Sequence, residues 1–195
     1  MISSKINNVL KGAPKIPGDK SISHRAVIIP SISNGVCEVS NYLKSEDVMN
    51  TIDAFVSMGV KIIEDKDKLI IHGKGLDSLQ KPVGEIYLGN SGTSARLLTG
   101  LLCAQKFDSI LTGDSSLSSR PMKRISDPLE EMNAKIYTNN GKMPLRIIGK
   151  KLTNSKIDIK IPSAQIKSGI ILAALNTEGV SEIVEHNISR DHTEI

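Results

Sequence analysis

Three times along the chain a small polar residue at a helix-opening signal is followed four positions later by a cation. The pairs are Ser21 with Arg25, Gly92 with Arg96, and Ser163 with Lys167, each 71 residues from the next. Residues i and i+4 share one helix face, and helix N-termini attract anions through free N–H groups and the macrodipole. A chain that carries this device three times is constrained to repeat the unit around it. The device itself suits a multiply charged small anion.

The surrounding sequence repeats with the heads. Apolar helices are expected over 21–32, 93–104 and 164–175, each followed by a short strand: Cys37–Ser40, Ser109–Thr112 and Ser181–Val184. A second helix is expected near 46–58, with Val48, Ile52, Phe55 and Val56 on its buried face, and again near 121–132. Across these the register is 74 residues, matching Leu43 with Leu117, Ser45 with Ser119, Met58 with Met132 and Ile62 with Ile136. Two strand-like runs follow each second helix, turning at Asp65-Lys66-Asp67 and at Asn139-Asn140-Gly141, the latter a strong hairpin signal. With a strand before the first helix (Ile86–Leu88, Ile157–Ile161), the unit is βαβαββ, about 70 residues long. The fold class is therefore α/β (α+β), with three units and the third truncated. Residues 187–195 carry only the opening of its second helix, so the sequence reads as part of a longer protein. Pro30 is expected to end or kink the first helix, since proline costs about 3 kcal/mol inside a regular one.

Composition narrows the function classes. At 195 residues, 39% hydrophobic and 24% charged, the chain has a globular composition with a net charge of +4. Aromatic residues make up only 3%, tryptophan is absent and no basic arm is present, which argues against nucleic acid. Cys37 and Cys103 lie in apolar segments without metal spacing and read as core residues of a reducing compartment. His24, His72, His186 and His192 show no metal spacing either, and His24 reads as packing or capping the first helix. No apolar run reaches the roughly 18 residues of a membrane span and no signal-peptide core opens the chain, so a cytoplasmic enzyme or binding protein is expected.

The first head offers a point charge (Lys20), a hydroxyl (Ser21) and a planar fork (Arg25), which suits phosphate or carboxylate. Alone, it is equally an N-cap serine beside solvated cations; triplication in register favours the ligand. Leu88–Arg96 reads as strand, Gly-rich turn and helix, without the Walker lysine or the Rossmann spacing. Its glycines admit close approach to the backbone, and Arg96, next to an apolar run, reads as a structural salt bridge. Ser163 and Gln165 offer a hydroxyl and a carboxamide for a hydroxyl-rich ligand, or else a helix cap and a solvated side chain. Arg120 precedes Pro121, which is expected at the first position of the second helix. That holds Arg120 extended, out of the helix, where it can clamp a carboxylate.

These residues carry a specific resemblance. Lys15 through Arg25 is similar to the N-terminal signature of the 5-enolpyruvylshikimate-3-phosphate synthase family. Leu88–Arg96 resembles that family's LGNxGT segment, and Gly113 through Met122 its second signature loop. Ser163-Ala164-Gln165 and Ser189 through Glu194 resemble further segments of its bacterial form. The resemblance implies two similar domains of three βαβαββ units each, of the inside-out α/β barrel type, with substrates in the cleft between them. Residues 1–15 would be an N-terminal strand or interdomain segment and 16–195 one incomplete domain, the second domain being absent. It implies transfer of the enolpyruvyl group of phosphoenolpyruvate to the 5-hydroxyl of shikimate 3-phosphate with release of phosphate, without cofactor or metal, in a cytoplasmic and usually monomeric enzyme. Lys20 would touch both substrates, and Ser21 and Arg25 would hold shikimate 3-phosphate. Gly92, through its backbone, and Arg120 would hold phosphoenolpyruvate. Ser163, Ala164 and Ser189 would line the shikimate phosphate site, with Gln165 bridging the two substrates.

The sibling UDP-N-acetylglucosamine enolpyruvyl transferases commonly have a reactive cysteine where this chain has Ser115, and Lys-Asn where it has Lys20-Ser21. The sibling reading is disfavoured. The family's acid–base carboxylates lie in its later half, so no catalytic base is assigned in this sequence. A non-catalytic anion-binding fragment is the other reading, and the isolated chain is expected to bind shikimate 3-phosphate weakly without turnover.

Overall fold

The computed structural model describes residues 11–195, of which 11–19 form neither helix nor strand. Residues 1–10, which hold most of the expected N-terminal strand segment, lie outside the described residues. Helix α1 (Lys20–Ile32) begins at Asp19, whose carboxylate accepts the Ile22 N–H. Asp19 is thus the cap, and Ser21 sits inside the first turn. Pro30 is accommodated because the helix ends two residues later, where the Ser33 N–H closes onto the Pro30 carbonyl.

Strand β1 (Asn34–Ser40) leads to helix α2 (Glu46–Ser57), whose first turn carries Glu46 and Asp47 at its positive end. Val48, Ile52 and Phe55 are buried as the spacing predicts, but Val56 is 49% exposed, on the edge of the apolar stripe. Strands β2 (Lys61–Asp65) and β3 (Lys68–Lys74) close an antiparallel sheet in the order β1-β3-β2. Cys37 lies opposite the buried Ile71, on the packed face of the sheet, but is only half-buried because β1 is an edge strand; Cys103 is fully buried, and burial pushes its thiol up to about 12.

A second sheet has the order β4-β5-β7-β6, from β4 (Ile86–Tyr87), β5 (Ser109–Thr112), β6 (Lys135–Asn139) and β7 (Lys142–Ile148). The β5-β7-β6 part repeats the order and antiparallel sense of β1-β3-β2. Asn140 (φ 51°) and Gly141 (φ 76°) are both left-handed, the type I′ turn that a two-residue hairpin requires. Between β4 and β5 runs helix α3 (Gly92–Cys103), capped by Ser91. After β5 come a short helix α4 (Ser115–Ser119), absent from the sequence expectation, and helix α5 (Lys123–Glu130). Pro121 therefore precedes α5 by two residues rather than opening it.

The third pair of strands, β8 (Lys156–Ile159) and β9 (Glu182–Glu185), is parallel like β4 and β5, and flanks helix α6 (Ala164–Ala174). After a bend at residues 186–187 the chain makes a turn at 192–194, with no second helix.

Apart from Arg96, every residue of α3 is buried, so this helix is the centre of the core. Its Leu97, Leu98, Leu101 and Leu102 join Val27 and Ile28 of α1, Phe55 of α2, Ile125 of α5 and Ile170 of α6 in one cluster. Where α3 meets α6, Gly100 faces Gly169 so closely that a Cβ on Gly100 would lie 1.8 Å from the Gly169 carbonyl oxygen. Cross-contacts between α1, α3 and α6 near their first turns show all three helices pointing their N-termini to one end of the molecule. No helix of the described residues is long and apolar enough to cross a membrane.

Candidate functional site

The shared N-terminal end of α1, α3 and α6 holds two adjoining cavities. The larger, about 640 Å³, is lined by Ser21, Arg25, Ser163, Ala164, Gln165 and Ser189, together with Arg190 and His192. The smaller, about 530 Å³, is lined by Lys20, Ser21, Gly92, Arg120 and Gln165, with Asp47, Asn90, Thr93 and Arg96. All nine residues singled out from the sequence therefore line one cavity or both, and Ser21 and Gln165 are shared.

In the smaller cavity Lys20 Nζ lies 2.9 Å from Asp47 Oδ2, a pair that solvent screens. Arg120 is extended (ψ 143°), as its position before Pro121 demands, and donates from Nη2 to Asn90 Oδ1. Arg96 donates from Nη1 to the Gly92 carbonyl (2.9 Å) and to Gln165 Oε1 (3.0 Å). Gln165 in turn donates from Nε2 to Thr93 Oγ1 at 3.0 Å, so its carboxamide is held at both ends rather than solvated. The Gly92 N–H is turned to the Asn90 carbonyl at 3.0 Å.

Both guanidinium groups crowd Gly92: a Cβ there would lie 2.8 Å from Arg96 Nη1 and 2.9 Å from Arg120 Nη1. The salt bridge expected for Arg96 is not formed, since no carboxylate among the described residues pairs with it. Burial, and then the nearby Arg120 and Arg124, push its pKa below the ordinary arginine value. Two cations gathered beside a glycine with no counter-charge of their own make a place for an anion.

The third head behaves in the opposite way. Lys167, expected to be an anion-holding cation, is 9% exposed and lies 2.8 Å from Glu185 Oε2 and 2.7 Å from Glu194 Oε1. Its charge is spent inside the fold. In the larger cavity the available cations are Arg25, 5% exposed, and Arg190. The Ser189 hydroxyl is buried with no hydrogen-bond partner among the described residues, while its N–H donates to Glu185 Oε2. Sequence reasoning passed over Asp47, Asn90, Thr93, Arg190 and His192. Of these, Asn90 and Thr93 lay in the Gly-rich segment and Arg190 and His192 in the polar run at 189–194, while Asp47 carried no local signal.

Below the heads, His24 is fully buried. Its Nδ1 lies 2.8 Å from Thr51 Oγ1 and 3.3 Å from Ser94 Oγ, and Ser94 Oγ is 2.6 Å from both Thr51 Oγ1 and Ser91 Oγ. This cluster ties α1, α2 and α3 together, in keeping with the packing role read for His24. Burial pushes the imidazole down to about 4, Lys20 and Arg25 adding to it against Asp47. The unfolded chain binds this proton near pH 6.5 and the folded one only near 4. Stability therefore falls as pH drops through that window, by at most about 3 kcal/mol from this group. A His24→Asn variant lacks that proton, so the gap in urea midpoint between wild type and variant should narrow from pH 7 to pH 4. A gap independent of pH would mean that His24 does not titrate as its burial requires.

The family model for EPSP synthase (3-phosphoshikimate 1-carboxyvinyltransferase) matches residues 4–195. A 3-phosphoshikimate 1-carboxyvinyltransferase of Ruthia magnifica subsp. Calyptogena magnifica is 50% identical over 191 residues, 97% of this chain and 44% of its own. One from Geobacter sulfurreducens is 47% identical over 195 residues, 99% of this chain and 46% of its own. An EPSP synthase structure from Acinetobacter baumannii superposes with a TM-score of 0.91 at 47% identity, over 94% of this chain and 42% of that one. The chain thus spans less than half the length of these relatives.

Proposed function

Because this chain belongs to the EPSP synthase family, we propose that its two cavities bind the substrates of enolpyruvyl transfer. In that reaction the 5-hydroxyl oxygen of shikimate 3-phosphate adds to C2 of phosphoenolpyruvate while C3 takes a proton. The tetrahedral adduct then loses a C3 proton and inorganic phosphate, leaving the enol ether. Arg25 would hold shikimate 3-phosphate in the larger cavity, with Ser163, Ala164 and Ser189 lining the site of its phosphate. Gly92 and Arg120 would hold phosphoenolpyruvate in the smaller one. Lys20 and Gln165 would reach both, and Ser21 would join the shikimate side.

The observation that carries this reading is the pair of cavities sharing Ser21 and Gln165, with uncompensated guanidinium groups in the smaller one. Two phosphorylated acids that must react need adjoining sites, and fixed cations there also stabilise charge developed in the transition state. Arg96 adds a third cation to that site, through its contact with Gln165. No residue of the chain is assigned as acid or base. The reading includes a cytoplasmic location and a monomeric enzyme.

Titration with shikimate 3-phosphate should shift the NMR amide signals of Ser21, Arg25, Ser163 and Gln165. Later addition of phosphoenolpyruvate should shift those of Gly92 and Arg120. Arg25→Ala should weaken the first binding about 10–100-fold, the range for a charged hydrogen-bonding group. Silence at these amides in a folded sample would remove the reading.

A further inference from the structure

Arg25 is buried and yet no carboxylate among the described residues bonds to it. Nε donates to Thr193 Oγ1 at 2.6 Å, Nη2 to Ser168 Oγ at 2.5 Å, and Nη1 to the Ser21 carbonyl at 2.9 Å. The two hydroxyl oxygens are themselves 2.7 Å apart, and Ser168 Oγ lies 2.6 Å from the Ala164 carbonyl. Proton counting fixes this arrangement. Ser168 gives its proton to the Ala164 carbonyl and Thr193 gives its proton to Ser168. Both oxygens then accept from the guanidinium. Nε–H and the adjacent Nη2 N–H form one edge of the planar fork. Thr193 and Ser168 therefore fill the edge that a bidentate carboxylate would take, with neutral oxygens instead. Of the five N–H groups three are used, which leaves one N–H on each terminal nitrogen of a side chain that lines the larger cavity.

We infer that Ser168 and Thr193 are positioning residues that aim Arg25 at the bound shikimate 3-phosphate while leaving its charge unneutralised, an inference that rests on the proposed reading of the larger cavity. The neighbouring ion cluster shows how this is arranged. Glu194, next to Thr193, turns to Lys167, next to Ser168, at 2.7 Å. The carboxylate is thus taken up by the lysine, and that pair holds the Thr193 hydroxyl against Arg25. In the same direction, burial lowers the pKa of Arg25 by more than Glu194 and Asp19 restore. An anionic group of shikimate 3-phosphate entering the cavity then meets a fixed, uncompensated fork, which forms stronger hydrogen bonds than one already paired with a carboxylate.

The test uses the 195-residue chain with shikimate 3-phosphate as the probe, and two readouts. The first is solvent exchange of the Arg25 Nε–H in the ligand-free protein, which needs no ligand. The second is affinity for the probe. Thr193→Val should speed the exchange and weaken binding, each by about tenfold, the effect of one lost hydrogen bond to a charged group. Thr193→Ser, which restores the hydroxyl, should stay within about twofold of wild type. Thr193→Asp should keep the Nε–H protected yet bind at least as weakly as Thr193→Val, because the carboxylate neutralises the fork. A merely structural threonine would not separate exchange from affinity in this way.

Wild-type exchange and affinity in folded Thr193→Val, or wild-type affinity in Thr193→Asp, overturn the inference. Should Thr193→Val fail to fold, Thr193→Asp and Thr193→Ser decide it. Should wild type not bind the probe at all, the reading of the cavity fails. An Nε–H that exchanges alike in wild type and Thr193→Val then rejects the positioning role separately.

Discussion

Gly100→Ala should destabilise the chain by about 3 kcal/mol or more, seen as a lower urea midpoint by circular dichroism. The sign is what makes the measurement decisive. Alanine is favoured over glycine inside a helix by about 0.8–1 kcal/mol, so with open space at this position the substitution would stabilise. Here the new Cβ would meet the backbone of α6: the Gly169 oxygen at 1.8 Å, its carbonyl carbon at 2.5 Å and its Cα at 2.9 Å. Backbone cannot rotate aside as a side chain can, so the helices must part. One turn nearer the N-termini on both helices lie Arg96 and Gln165, joined at 3.0 Å. Separation at the glycines therefore breaks this bond too, and the Gln165 side-chain amide signals should move with the midpoint. Gly84→Ala, where nothing lies within 4 Å of the new Cβ, is the control and should change little. A midpoint raised by Gly100→Ala would show that α3 and α6 do not touch as described.

The reason for that glycine was not legible in the sequence, although its presence was a clue. A glycine inside an apolar helical run carries a cost that invites a packing explanation. The partner, Gly169, is identified only by the crossing of two helices distant in sequence. What could be read locally was read well. Asn140-Gly141 forms its hairpin, the first helices of each unit are displaced by only a residue or so, and Val48, Ile52 and Phe55 face inward. Errors arose where burial depends on the third dimension. Val56 lies on the edge of its helix's apolar stripe and Cys37 on an edge strand, and α4 is too short for a periodic signal. The opening of a second helix expected over 187–195 is a turn instead.

The site shows the same division. Residue types and the i+4 spacing brought the nine candidate residues to one end of the fold, but the spacing cannot tell a charge meant for a ligand from one used in packing. Arg96 and Lys167 exchanged their expected roles for that reason. Arg96 has no carboxylate partner among the described residues, whereas Glu185 and Glu194 reach Lys167 from 18 and 27 positions further along the chain. Two caps shifted as well: Asp19 and Ser91 cap α1 and α3, so Ser21 is placed by the helix it lies in rather than by capping it, whereas Ser163 caps α6 as one reading of the sequence had it.

Lys167→Met should cost about 3 kcal/mol or more, because removing one partner of a buried ion cluster leaves the other charge without compensation. Glu194 is 34% exposed and can turn toward water, but Glu185 is only 12% exposed and cannot. In the folded wild type, burial raises the Glu185 pKa, and Lys167 with Ser189 outweighs burial to leave it below the ordinary value. A carboxyl lowered in the folded state contributes stability above its unfolded pKa and loses it as pH falls through its folded one. In Lys167→Met burial prevails, the Glu185 pKa rises, and the variant relieves its buried charge by taking a proton. The deficit of Lys167→Met against wild type should therefore be largest near neutrality and shrink as pH falls below about 5. Lys167→Met combined with Glu185→Gln removes both charges while keeping an acceptor for the Ser189 N–H, and should recover more than half of the loss at pH 7. A deficit that neither shrinks in acid nor recovers in the double variant would mean that Lys167 stabilises the fold by packing its methylene stem, and not by its charge.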